Sequence, residues 1–178
     1  MEMLEAGLDA VRAAPADNGR VELIVRRPEI DARELIEEAT LDAEEGLVGD
    51  NWHVKPSLKT GAPNPDAQLT VMNARVTGLV AGEDRDRWAL AGDQLYVDLD
   101  LSYRNLPPGT RLHVGEAVIE VTDEPHRGCG KFSARFGVEA LKFVNSAVGR
   151  ELNMRGINTR IVTGGVVRTG DAVVKVSP

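Results

Sequence analysis

The chain has 178 residues, a formal net charge of −7, and only two Trp, two Tyr and three Phe. That length suits one domain with a real core; the acidic balance argues against nucleic acid as the main partner, and so few aromatics argue against a base-stacking surface. No run of about 18 apolar residues predicts a membrane-spanning helix, the first ten residues lack the basic and apolar regions of a signal peptide, and one cysteine cannot form an internal disulfide, so a reducing cytoplasm is the expected setting.

In chain order, Met3, Leu4, Leu8 and Val11 recur at helical spacing until Pro15 and Asn18-Gly19 stop the run, which predicts a peripheral helix. Residues 1–19 are thus read as a helical extension of a domain spanning 20–178. Val21, Leu23 and Val25 alternate as in a strand that Pro28 ends. Asp31 then reads as the N-cap of a helix over 32–40, with Leu35, Ile36 and Ala39 as its apolar stripe and Glu29, Glu34, Glu37 and Glu38 on its solvated side. Gly46-Leu-Val-Gly-Asp50 predicts a strand ending in a tight turn. Asp50 and His53, three residues apart, suit a metal or proton-transfer pair, or equally a carboxylate holding turn amides beside a surface imidazole. Residues 54–67 form a long proline-containing loop to which Lys55 and Lys59 add positive charge.

Gln68 to Asn73 reads as a strand leading into a helix with Val76, Leu79 and Val80, and Asp84 to Trp88 as a second helix. Leu95 to Leu101 alternates strictly, which predicts a half-buried strand with Tyr96, Asp98 and Asp100 facing solvent. Arg111 to Val114 and Ala117 to Thr122, joined at Gly115-Glu116, read as a β-hairpin. Further on, a helix over 138–148, a strand over 157–163 and a hairpin of 166–168 with 172–176 around Gly170-Asp171 are expected. Short turn-separated strands dominate, so the expected class is mostly β, a closed or nearly closed barrel with a few inserted helices.

The hairpin delivers the chain to Glu124-Pro-His-Arg-Gly-Cys129-Gly-Lys-Phe-Ser-Ala-Arg135. From His126 onward this stretch holds Arg127, Lys131 and Arg135 and no acid. Neighbouring cations stabilise a thiolate, and the flanking Gly128 and Gly130 leave room for a ligand. The plain alternative is a small buried residue in a turn. A nucleophilic cysteine would need a base, and His126, His113 and His53 are the only histidines. No hydrolase signature surrounds Cys129. Zinc at His126-x-x-Cys129 would need two further ligands, with His53 or Asp50 the available candidates. A third option is an anionic, thiophilic group held through sulfur, with Arg127, Lys131, Arg135, Arg155 and Arg160 meeting its negative charge.

Three features together resemble the MOSC domain, found at the C-terminus of molybdenum cofactor sulfurases. These are Gly46-Leu-Val-Gly-Asp50-Asn-Trp-His53; the segment from Gly92 to Gly115 with Asn105-Leu-Pro-Pro-Gly; and the single cysteine after its hairpin. The resemblance covers residues 20–176 in order. It implies a barrel of the pyruvate-kinase-barrel kind. It further implies that Cys129 is the molybdenum ligand or the sulfur-carrying, catalytic residue, and that Asp50, His53 and Asn105 lie near the pocket of the molybdenum cofactor (molybdopterin). With the basic residues, the expected cofactor contacts are Asp50, His53, Asn105, Arg127, Lys131 and Arg160; pyridoxal phosphate is not expected. Two departures from many members stand out: Gly128 replaces a proline before the cysteine, and Asn51 replaces an arginine after the Gly-Asp pair. The chain looks like a short, stand-alone bacterial type without an extra N-terminal barrel or iron–sulfur cysteines, so electrons for reducing an N-hydroxylated compound would come from an electron-donor protein. The alternative expectation is a non-catalytic barrel that binds a small anion or a partner chain.

Overall fold

The computed structural model describes residues 2–54 and 61–176; Lys55 and Lys59 of the long loop lie outside them. Two short helices open the chain, α1 (Glu2–Ala6) and α2 (Leu8–Arg12). They bury Leu4 and Val11 against later helices. The strand β1 (Gly19–Arg26) follows the alternation around Val21 and Leu23.

The helix expected over 32–40 is absent. Asp31 sits at φ 63 and is no N-cap, and the segment instead forms β2 (Glu34–Ile36) and β3 (Glu38–Asp42). Leu35, Ile36 and Ala39 fit a helical stripe by spacing alone. The backbone partners that decide the matter come from far away in sequence: Val25 opposite Leu35, and Val167 of a late strand opposite Ala39. Tertiary pairing overrides weak local preference.

The short β4 (Gly46–Leu47) pairs with β3 and is followed by the expected turn. β5 (Leu69–Asn73) leads into α3 (Ala74–Ala81), capped by the Asn73 side chain. α4 (Arg85–Ala89), capped by Asp84, comes next. β6 (Leu95–Asp98) runs parallel to β5, a geometry that needs a crossover, which α3 and α4 supply. β7 (Arg111–Val114) and β8 (Ala117–Val121) form the expected hairpin. α5 (Gly130–Phe136), which the sequence pattern does not predict, begins directly after Cys129. The helix expected over 138–148 divides into α6 (Val138–Val144) and α7 (Ala147–Glu151), because Ser146 caps the second. β9 (Ile157–Thr163), β10 (Gly165–Arg168) and β11 (Ala172–Lys175) finish the chain.

The main sheet runs β11-β7-β8-β9-β5-β6-β1 and closes through a β1–β11 pairing, giving a seven-strand barrel with β2 appended to β1. The last two strands are not the hairpin expected. β10 joins β3 and β4 in a separate small sheet, while β11 pairs with β7 and β1. The barrel is filled by Val21, Leu69, Val71, Leu95, Leu112 and Ile119, among others. A second apolar layer lies between the barrel wall and the helices, around Met72, Trp88, Tyr96, Phe132 and Phe143. Tyr96 belongs to this second layer and is fully buried. β6 is therefore covered on both faces, although its alternation suggested one wet face. Among the described residues no helix is long and apolar enough to cross a membrane.

Candidate functional site

Cys129 is set in place from both sides. Upstream, β8 ends at Val121 and the Thr122 hydroxyl bonds the Asp66 carbonyl at 2.6 Å, which launches the segment 123–128 across the barrel wall. Downstream, Gly128 is clamped by one amide: its N–H donates to Asn145 Oδ1 at 3.0 Å and its carbonyl accepts from Asn145 Nδ2 at 3.0 Å. A Cβ at Gly128 would lie 2.8 Å from Leu141 Cδ1, so the segment packs tightly on α6. The chain then turns into α5 with the thiol exposed. Partial burial pushes the Cys129 pKa up. The N–H groups of Phe132 and Lys131 and the charges of Arg155 and Arg135 outweigh it, so the pKa lies below the ordinary thiol value.

The thiol stands on the wall of a cavity of about 330 Å³ that also touches Arg27, Arg33, Lys131, Arg135 and Arg155. Asp31 is the one carboxylate among its lining residues, and it is already engaged by Lys131 at 3.2 Å and Arg135 at 3.0 Å. Two buried carboxylates act from behind. Asp50 holds Arg27 through Nε at 2.9 Å and Nη2 at 2.7 Å, and Asp93 holds Arg155 Nη1 at 2.6 Å. Gly92, at φ 93, turns its carbonyl to Arg27 Nη1 at 2.9 Å, a backbone conformation that glycine adopts without strain. Arg155 also lies with its guanidinium carbon 5.2 Å from the Phe132 ring centre.

The cations crowd one another. Burial first, then the charges of Arg135 and Arg27, depress the Arg33 pKa. Arg33 Nε and Arg155 Nε are buried without a hydrogen-bond partner, as are Asp93 Oδ1 and His126 Nδ1. Buried polar groups are normally paired; three of these four atoms belong to residues that line the cavity, Arg33, His126 and Arg155, which suits it to a polar ligand.

His126 lines the same cavity. Burial, reinforced by Arg155, pulls its pKa down to about 4 against the opposing field of Asp93, whose Oδ1 is 3.6 Å from Nε2. The imidazole is therefore neutral at pH 7.

Of the residues expected at the site, Cys129 and Lys131 line the cavity, together with Arg135 and Arg155 of the basic stretches. Asp50 is fully buried behind it, bonding the amides of Arg27 and Trp52 as well as the guanidinium. His53 is exposed in a short turn over 52–54 and is not among the lining residues. Asn105 serves elsewhere: it donates to the carbonyls of Ala16 and Asp100 and accepts from Lys175 Nζ. Arg127 lines two other cavities, of about 100 and 300 Å³, and not this one. Arg160 pairs with Glu120 on the outer barrel wall. Among the described residues, no three of His, Cys, Asp and Glu gather as a metal site. Arg27, Arg33 and Asp93 were missed by sequence reasoning. Arg27 and Arg33 sit singly at a strand end and in a loop with no motif, and Asp93, though inside the Gly92–Gly115 segment, was not singled out; only the closed barrel brings Arg27 and Arg33 to the Cys129 cavity and sets Asp93 behind it.

A family model for the MOSC domain matches residues 60–174. The chain belongs to the MOSC domain family. Solved structures share its fold. YiiM from Escherichia coli is 22% identical with a TM-score of 0.57, over 89% of this chain and 70% of that one. The YuaD protein from Bacillus subtilis is 15% identical with a TM-score of 0.60, over 90% and 97%. YiiM from Geobacillus stearothermophilus is 13% identical with a TM-score of 0.59, over 89% and 75%. No curated protein matches the sequence. In this MOSC domain the cysteine therefore sits where the barrel wall, α5 and the loop before β2 meet, inside a cationic cavity.

Proposed function

We propose that this MOSC domain protein binds the molybdenum cofactor, molybdopterin, in the Cys129 cavity and reduces N-hydroxylated compounds with electrons from a partner reductase. The observation that carries the reading is the pairing of an exposed, acidified thiol with five cations, two of which keep an unpartnered buried Nε. That donor set fits the group. A thiolate suits a soft metal, and guanidinium forks suit phosphate. Cys129 would be the protein ligand, and Arg27, Arg33, Lys131, Arg135 and Arg155 would hold the anionic portion. The group, when bound, supplies the two-electron redox chemistry.

The chain's own residues do the rest. Asp50 and Asp93 fix two of the guanidiniums so that little rotamer freedom is lost on binding. His126, neutral at pH 7, offers an uncharged polar atom beside the thiol without adding to the cationic load. Phe132 gives the cavity an apolar wall that limits water. With the same thiol, sulfur carriage to a metal–sulfur centre is the companion form of this reading, and a reducing compartment suits both.

Molybdenum and pterin measured in protein purified from a cofactor-competent host test it. Both are expected with the wild type, and both are expected to be lost in Cys129→Ala. Absence of both from the wild type, with Cys129→Ala behaving identically, would sink the proposal. A second reading, a non-catalytic anion-binding module, rests on the cation surplus alone. It expects Arg33→Ala to weaken anion binding while Cys129→Ser leaves it intact.

A further inference from the structure

Behind the cysteine-bearing segment lies a second cavity, of about 100 Å³. It is well above the ~10–15 Å³ that one water needs and below the ~300 Å³ at which pockets for drug-sized ligands begin. Arg127, Arg150 and Arg155 line it with His126, Asn145 and Asn153, and no carboxylate does. The three arginines come from separate places: the segment after β8, the end of α7, and the turn before β9.

Their pairing is unusual. Among the described residues the side chains of Arg127 and Arg150 have no ion pair or hydrogen bond. Every other arginine at the larger cavity has at least one side-chain hydrogen bond. Arg155 is only 8% exposed, and its Nε has no partner. His126 is neutral here, so the lining carries the charge of three guanidiniums; Asp93 stands behind Arg155, and Asp123 and Glu124 line the adjoining cavity that His126 and Arg127 also touch. Guanidinium forks with planar N–H donors match the oxygens of a tetrahedral dianion, and a compact space with no acid excludes cations and bulky apolar groups.

We infer that this second cavity is a binding site for a small tetrahedral oxyanion of the phosphate or sulfate class, carried either as the free ion or as the terminal group of a larger ligand. The site stands independently of what fills the Cys129 cavity. Arg155 and His126 line both, so occupancy of one bears on the other.

Calorimetric titration of the full chain with inorganic phosphate at low ionic strength tests this. A saturable phosphate site, displaced by sulfate and distinct from any anion binding that Arg33→Ala weakens, is expected. Arg127→Ala with Arg150→Ala should weaken it by about ten-fold or more, since hydrogen bonds to charged groups are the strong ones. Both side chains are exposed, so the fold should survive, which circular dichroism checks. Arg33→Ala, confined to the larger cavity, should leave the phosphate affinity of this second site nearly unchanged, whatever it does to anion binding beside Cys129. No saturable binding would overturn the inference, as would binding that Arg33→Ala abolishes and the double variant keeps. Phenyl phosphate separates the two sources: weaker binding than inorganic phosphate indicates a free ion, and equal binding the end group of a larger ligand.

Discussion

Asp50 grips Arg27 at three points: its oxygens accept from Nε at 2.9 Å, from Nη2 at 2.7 Å, and from the backbone N–H of the same residue at 2.8 Å. The Asp50 side chain is fully buried, and that of Arg27 is partly buried, at 16% exposure. A bidentate pair of this kind fixes the guanidinium in one plane, and the remaining Nη1 is taken by Gly92. Asp50 therefore acts on the cavity through Arg27.

Asp50→Ala leaves a buried guanidinium without its counter-charge. Loss of one partner of a buried pair costs about 3–5 kcal/mol, so a fall of that order in unfolding free energy is expected from urea titration. Asp50→Asn keeps one acceptor and should lose less. In both variants, anion affinity at the Cys129 cavity should drop even though Asp50 does not line it.

Cys129 should alkylate faster at neutral pH than an ordinary exposed thiol, because the N–H groups of Phe132 and Lys131 and the charges of Arg155 and Arg135 outweigh the cost of partial burial. Arg135→Ala removes one of those charges. The pH midpoint of iodoacetamide alkylation should then move up, and the rate at pH 7 should fall a few-fold. An unchanged midpoint would show that the helix amides and Arg155 set the thiol without Arg135.

The barrel was largely legible in the chain. β1, β5, the β7–β8 hairpin and β9 all announce themselves by alternation or by apolar runs between turn residues, and the lone cysteine, Lys131 and Arg135 pointed to residues that share one cavity. What failed did so for want of tertiary information. Residues 32–40 carry apolar side chains at helical spacing, and only β1 and β10, distant in sequence, supply the partners that make strands of them. Tyr96 sits at an outward position that helices cover. Arg27 and Arg33 lie about a hundred residues before Cys129 with no motif around them. Asn105 looked like a pocket residue but staples the segment at Ala16 to the loop before β7.

Gly128 is where proline is common in the family, and the Asn145 clamp explains why proline does not suit this chain. Gly128→Pro removes the N–H that donates to Asn145 Oδ1 and pushes atoms toward Leu141, already 2.8 Å from an added Cβ. A loss of about 1 kcal/mol is expected, the low end of the cost of an unsatisfied polar group, because this bond is only partly buried. Asn145→Ala should cost a similar amount, and the double variant less than the sum, since both remove the same contact. Urea unfolding of the four proteins checks this.

His126 should make the fold acid-sensitive in a defined window. In the unfolded chain its pKa is the ordinary 6.5; in the folded protein burial and Arg155 hold it at about 4, with Arg27 adding to them and Asp93 and the Ile157 backbone opposing. Between these values the unfolded state binds more protons, so stability falls as pH drops from about 6.5 toward 4. The full effect is up to about 3 kcal/mol, at about 1.4 kcal/mol for each pH unit that separates the folded and unfolded values. The carboxylates whose pKa values lie below the ordinary range, Asp17, Asp31, Asp42 and Glu120, titrate mainly below that window. Urea midpoints at pH 7, 5.5 and 4.5 should therefore decline in the wild type and stay nearly level in His126→Gln. A decline of equal size in His126→Gln would assign the sensitivity to another group and remove the case for a neutral imidazole at the wall between the two cavities.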